Sequence, residues 1–404
     1  MKRRLLPILM TLVLVCALPI WAAFVTSPDV TNPLVSTAWA TLPDLQAKID
    51  AAADNATITL DSNTEIAATL QITKNLTLDL NGCTLRMTGT GSVLKVSGRA
   101  TLTITDSSAA KSGTITGGNA EYGGGVYVDD YAALKMTGGC ITGCHASRGG
   151  GGIYSSGNLY MGGTAKIEKC TGSDDAIWNR ENSDIYADGG TVDGTVNNQG
   201  TIKRSEGAAA VTVFNGTVYN RSAGTIIAGI YNGTVENNGT ISGGTFCGGV
   251  TIRKGSWVWE RTGSISGGTF YSSIVNEAGP ERVTGVTFAV TFDHGDGTKT
   301  EPTPVKYNDL VPKPTAPTKS GYTFTGWEDA NGAYDFNTPV TGPLTLTAKW
   351  EKVPSSGGYY YYPTTDTKAD DAKGSPKTAD PGVALYAALS FLSLTGLTCT
   401  AKKR

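Results

Sequence analysis

Two neighbouring aspartates, Asp174 and Asp175 in the stretch GSDDAIW, are the side chains best suited to acid–base chemistry in this sequence. Inverting hydrolysis of a glycosidic bond needs one protonated and one ionised carboxyl on opposite faces of the bond. Successive residues of a regular strand point to opposite sides, so this pair would require a partner from a neighbouring element. A second pair, Asp129 and Asp130 in YVDDYAAL, offers the oxygen ligands that calcium takes. Lyase chemistry would also need a lysine or arginine placed to take the proton α to a carboxylate, and no such constellation recurs nearby; the pair reads as turn residues. Tyr122, Tyr127, Tyr131, Tyr154 and Tyr160 recur through the same region and suit an aromatic strip that stacks sugar rings, with Tyr127, Tyr154 and Tyr160 the candidate ligand-binding residues. Cys140, Cys144 and Cys170 lack the spacing of a double CxxC and read as small buried apolar residues. His145 and His294 are the only histidines, too few for a histidine metal cluster or triad, so neither metal nor cofactor is expected. Lysine plus arginine number 33 against 35 acidic residues, a formal net charge of −2, and this balance with no basic patch argues against nucleic-acid binding.

What must position these groups is a repeated unit. Leu42, Leu45, Ile49 and Ala53 fall on one helical face after a start at Thr41, Pro43 and Asp44. Strict alternation then takes over in TITL, LQIT, LTLDLNG and LTIT, each run closed by Asn, Asp, Gly or Ser. Leu76-Thr-Leu78 recurs as Leu102-Thr-Ile104, GGGVY at 123–127 as GGGIY at 150–154, and Leu134-x-Met136 as Leu159-x-Met161. A self-similarity of about 25 residues means stacked units. Three short strands per unit, turning at Gly or Asn, make a rung of a parallel β-helix, and the amphipathic helix covers its open strand edge. The start of this region resembles the capped beginning of pectin-lyase-like right-handed β-helices, and the resemblance extends roughly over residues 41–285. Many proteins of that superfamily cut acidic polysaccharides. GSDDAIW is similar to the acidic segment of polygalacturonase-type hydrolases, but neither an Asn-Thr-Asp a coil earlier nor a Gly-His-Gly a coil later accompanies it.

Residues 286–352 follow a different grammar. TFAVTF meets a His-Gly-Asp-Gly turn, a proline-rich crossing leads to YTFTGW, and an Asn331-Gly332 turn precedes the closing LTLTAKW. Gly321-Tyr322, Gly326-Trp327, Tyr334-Asp335-Phe336 and Ala348-Lys349-Trp350 resemble the Listeria-Bacteroides repeat, the internalin-type B repeat, which implies a small β-grasp-like domain of a surface protein. Trp327 and Trp350 lie in alternating strands and read as core. Residues 353–374, rich in Pro, Gly and Tyr, read as a spacer.

The two ends give the address. Lys2, Arg3 and Arg4 precede an apolar run closed by small residues, a secretory signal within residues 1–27. At the other end, SPKTADPG is followed by an apolar run at 383–400 of membrane-spanning length and then AKKR, whose cations would stay cytoplasmic. Ser375, Pro376, Lys377, Thr378 and Ala379 resemble the LPxTG-type sorting signal of Gram-positive bacteria. That resemblance implies a sortase that cuts between Thr378 and Ala379 and joins Thr378 to peptidoglycan. The expectation is an all-β surface protein displayed on a Gram-positive cell wall, touching the membrane only through its terminal segment. Adhesion or structural display is its expected work, with glycan or host-matrix binding on the β-helix face. The alternative is a wall-anchored lyase or hydrolase of acidic polysaccharide.

Overall fold

The computed structural model describes residues 45–172, 175–255 and 262–354. The leader-like residues 1–27, the expected helix start at Thr41 to Asp44, and most of the expected spacer with all of the sorting-like segment lie outside the described residues.

Each self-alignment in the sequence corresponds to a pair of hydrogen-bonded strands. Leu76 pairs with Leu102, Val126 with Ile153, and Leu134 with Leu159, all in parallel register. Stacking these pairs builds three parallel ribbons. The first runs from Leu70–Ile72 through ten strands to Ile274–Asn276. The second begins at Ala56–Thr59 and the third at Thr64–Ile66, and the strands Asn158–Glu168 and Asp184–Asp193 pass through both without a break. These two long strands join the second and third ribbons into one 18-stranded sheet. The result is the parallel β-helix that the repeats imply. Its unit varies in length along the chain: Val126 and Ile153 are 27 residues apart, Val235 and Val250, in the same column, are 15 apart, and Val250 and Ile274 are 24 apart.

Alternation decides what fills the interior. In the first ribbon Leu94, Val126, Ile153, Ile177 and Val196 form one fully buried column. The column beside it changes character, because Asn179, Asn198, Asn220 and Asn237 are also fully buried. Their side chains form a ladder: Asn179 Nδ2 donates to Asn198 Oδ1 at 2.8 Å, Asn198 to Asn220 at 2.8 Å and Asn220 to Asn237 at 2.7 Å. Each amide thus recovers inside the coil the hydrogen bonds it would otherwise lose on burial. In the third ribbon Phe214, Tyr231, Phe246 and Phe270 stack with ring centres 5.0, 4.9 and 4.7 Å apart.

A stack of parallel strands has two raw edges, and different parts of the chain meet each. The helix Leu45–Ala51 buries Leu45 and Ile49 against the first rung. Its Gln46 acts as a substitute strand: Nε2 donates to the Gln71 carbonyl at 3.1 Å and Oε1 accepts from the Gln71 N–H at 2.8 Å. Lys74 Nζ returns the service by donating to the Asp50 and Ala52 carbonyls at the end of the helix, at 2.7 and 2.8 Å.

At the far edge stands a five-stranded sheet. It comprises Thr287–Asp293, Thr303–Lys306, Tyr322–Asp329, Gly332–Ala333 and Leu344–Lys352. The last strand is central, parallel to the first and antiparallel to the third. Phe288 meets Phe270 edge-on at 6.5 Å, and Ile274 N–H donates to the Thr341 carbonyl at 2.8 Å. Trp327 is buried within this module, as its alternation predicts, and Trp350 packs partly buried against Phe324. Trp350 Nε1 donates to the His294 carbonyl at 2.7 Å, which ties the first turn to the closing strand.

Candidate binding surface

Among the described residues the carboxylates do not assemble an open acid–base pair. Asp174 lies outside the described residues. Asp175 is only 4% exposed, and its carboxylate accepts from Asn197 Nδ2 at 3.4 Å. A group so placed orders the wall of the coil and is not presented to a polysaccharide. Asp129 and Asp130 sit in the corner between the strands Val126–Val128 and Ala133–Met136, where the Asp129 carbonyl accepts from the Ala132 N–H at 3.1 Å.

Of the three cysteines read as buried, Cys144 is buried in the core and Cys170 packs against it, whereas Cys140 is half-buried and lies on the opposite face of its strand from the inward Ile141. Burial pushes the Cys140 thiol up to about 11, and a hydrogen bond with Cys170, reinforced by burial, pushes Cys144 up as well. Neither is a nucleophile at neutral pH.

The tyrosines divide between two faces. Tyr127 and Tyr154 are register partners in the outward column of the first ribbon, between Lys95 and Trp178. Their rings stack at 5.0 Å, Lys95 Nζ covers Tyr127 at 5.2 Å, and Tyr122 packs on Tyr154 at 4.8 Å. Trp178 completes the cluster 6.2 Å from Tyr154. It fits because residue 149 is glycine: a Cβ there would lie 1.8 Å from Cε3 of the indole. Tyr160 belongs to the second ribbon, where it stacks on Tyr186 at 4.2 Å, with Lys135 over the one ring and Lys203 over the other. In both columns the ring faces that a sugar would use are already occupied by protein groups, and Tyr154 is 7% exposed.

One tyrosine of this region differs. Tyr131 is 82% exposed and holds a left-handed backbone, φ 64°. Glycine and asparagine adopt that conformation readily, and a bulky residue pays of the order of 1–3 kcal/mol for it. Arg99, one rung earlier, has φ 67° and places its guanidinium 5.7 Å from the Tyr131 ring; Asn182, two rungs later, has φ 65°. Beside the ring opens a depression of about 380 Å³, bounded by Asp130, Ser156, Asn158, Arg180, Glu181 and Asn182. Glu181 and Asn182 also border a second depression of about 350 Å³ that continues past Gln199, Thr201 and Ser222. The two form a polar furrow along one corner of the coil, with an exposed aromatic ring at its head.

Trp178 was legible in principle. Ile177-Trp178 repeats Ile153-Tyr154 one rung on, but the glycines that mark the earlier copies are missing before it. The distinct standing of Tyr131 had no such signal, because its backbone angle and its exposure are properties of the corner.

In comparison with known proteins, residues 288–349 match the model of the Listeria-Bacteroides repeat domain. Internalin H of Listeria monocytogenes is 36% identical over 94 residues, which cover 22% of this chain and 16% of that protein. A Gly-rich membrane protein of Evansella cellulosilytica is 35% identical over 68 residues, 16% of this chain and 8% of its own length. The chain therefore spans less than a fifth of either relative. No solved structure matches significantly.

Proposed function

We propose that this is an exported surface protein of a Gram-positive bacterium, held by its C-terminal tail, whose β-helix carries a glycan-binding furrow. The address rests on the leader-like residues 1–27 and the sorting-like segment 375–379. The repeat-domain match at residues 288–349 and the similarity to Internalin H support it. In this reading a sortase joins Thr378 to peptidoglycan with loss of Ala379, and the apolar run at 383–400 holds the chain at the membrane until transfer. Thr378→Ala should then shift the product from the wall fraction to the membrane fraction or the medium. An unchanged distribution would reject sortase attachment.

The binding function is carried by one observation: an almost fully exposed tyrosine is kept in a backbone conformation that opposes it, at the head of a furrow lined with hydroxyl, amide and charged groups. Such a ring stacks on the C–H face of a sugar while the Asn, Ser and Arg side chains meet its hydroxyls. Immobilised host and plant polysaccharides should retain the wild-type ectodomain, and Tyr131→Asn should lose that retention. Because Asn suits φ 64°, the same variant should unfold about 1 kcal/mol later in urea. Retention unchanged in Tyr131→Asn would refute the furrow as the site. Release of reducing ends or unsaturated products would establish turnover in place of binding.

A further inference from the structure

The order of strands in the C-terminal module carries a mechanical consequence that neither adhesion nor anchoring by itself requires. The chain enters the module from the β-helix at Thr287, the start of the first strand, and leaves it at Lys352, the end of the last. These two strands are adjacent and parallel, with Val290 opposite Leu344, Thr291 opposite Thr345, Phe292 opposite Leu346 and Asp293 opposite Thr347. In a parallel pair the entry of one strand and the exit of the other lie at opposite ends. Tension between Thr287 and Lys352 therefore pulls along the strands in opposite senses, and every hydrogen bond of the shared ladder bears load together.

We propose that this module is a load-bearing shear clamp between the β-helix and the C-terminal tail. The physiological use of the clamp rests on the tethered, ligand-holding reading above; the property itself does not. Side chains brace the loaded strands. Phe288, Val290 and Leu346 are essentially fully buried, and Trp350 of the last strand bonds the His294 carbonyl just past the end of the first. The contrast within the same sheet is the antiparallel pair of the first and second strands, where Thr287 is directly opposite Lys306. Tension between those two residues would open that ladder one bond at a time, like a zipper.

The difference can be read on one folded molecule. Genetically encoded azide handles at Thr287 and Lys352, or at Thr287 and Lys306, attach the ectodomain to optical tweezers, and all three positions are exposed. Forced rupture follows the unfolding barrier along the pulled direction, so the two geometries report different barriers for the same fold. The clamp predicts a rupture force several-fold higher for the 287/352 pair than for the 287/306 pair at equal pulling speed. Equal forces, or a lower force for 287/352, would overturn it. Neither outcome depends on wall attachment or glycan retention, so failure of the clamp and failure of the surface reading are separable.

Discussion

Asp106 shows how a single carboxylate can hold a corner of the coil. Its oxygens accept from the N–H groups of Gly82 at 2.8 Å, Ser108 at 3.1 Å and Gly113 at 2.6 Å. Burial alone would raise its pKa, but the hydrogen bonds from Ser108, Gly113 and Gly82 together outweigh it and hold the group below the ordinary carboxylate value. Asp79, which accepts from Asn81 and Ser107 on the preceding rung, is shifted the same way by the same balance. A carboxyl whose folded value lies below its unfolded one contributes stability that is fully present above the unfolded value, about 3.9 for Asp, and is lost as pH falls through the folded value. Urea stability should therefore be insensitive to these groups from neutrality down to about pH 4, then fall. Asp106→Asn should lower stability at pH 7 and flatten part of that acid limb. A variant with an undiminished acid slope would show that the corner does not use the charge.

At the scale of elements, the ribbons were legible because each strand buries alternate residues, and the inward column of one rung must match the next. Leu76 over Leu102 and Met136 over Met161 follow from that constraint, so aligning the chain with itself recovers the register. The glycine run before Val126 was legible for a related reason. Backbones there approach so closely that a Cβ on Gly125 would lie 2.6 Å from the Gly152 carbonyl oxygen. What resisted reading was which face a polar residue takes near a corner. Asp175 stands in the sequence as an acid–base candidate, yet it is buried against Asn197. Ring availability was equally hidden. Tyr127, Tyr154 and Tyr160 stand where an aromatic strip would, but their faces are taken by Lys95, Tyr122, Lys135 and Tyr186. Such occupation depends on the rungs above and below at once, and no local sequence pattern encodes it. The variation of the unit between 27 and 15 residues likewise defeats a fixed-period alignment, although the inward Val and Ile columns persist through it.

Over the whole molecule, the two ends of the solenoid face the same hazard and meet it differently. An uncovered parallel edge is a template for another chain. At the first rung, Gln46 satisfies the Gln71 backbone and the helix seals the apolar interior with Leu45 and Ile49. At the last rung, the Ile274 N–H is met by the Thr341 carbonyl, Val283 bridges to Ile265, and the ring column that ends at Phe270 continues into Phe288 and Tyr307. The C-terminal module is thus a cap as well as a link, and the interior of the coil and that of the module form one apolar cluster. Ending the chain after Gly285 would leave the Ile274–Asn276 edge unpaired and the Phe270 ring uncovered. Such a protein should keep its β-rich circular dichroism but associate through that edge, giving dimers and larger species in sedimentation velocity where the longer chain is monodisperse. Charged residues introduced on the new edge, as in Val275→Lys, should reverse the association, since an edge lysine blunts strand pairing. A truncated chain that remains monomeric with an unchanged unfolding midpoint would show that the last rung needs no cover, and the module would then be only a link.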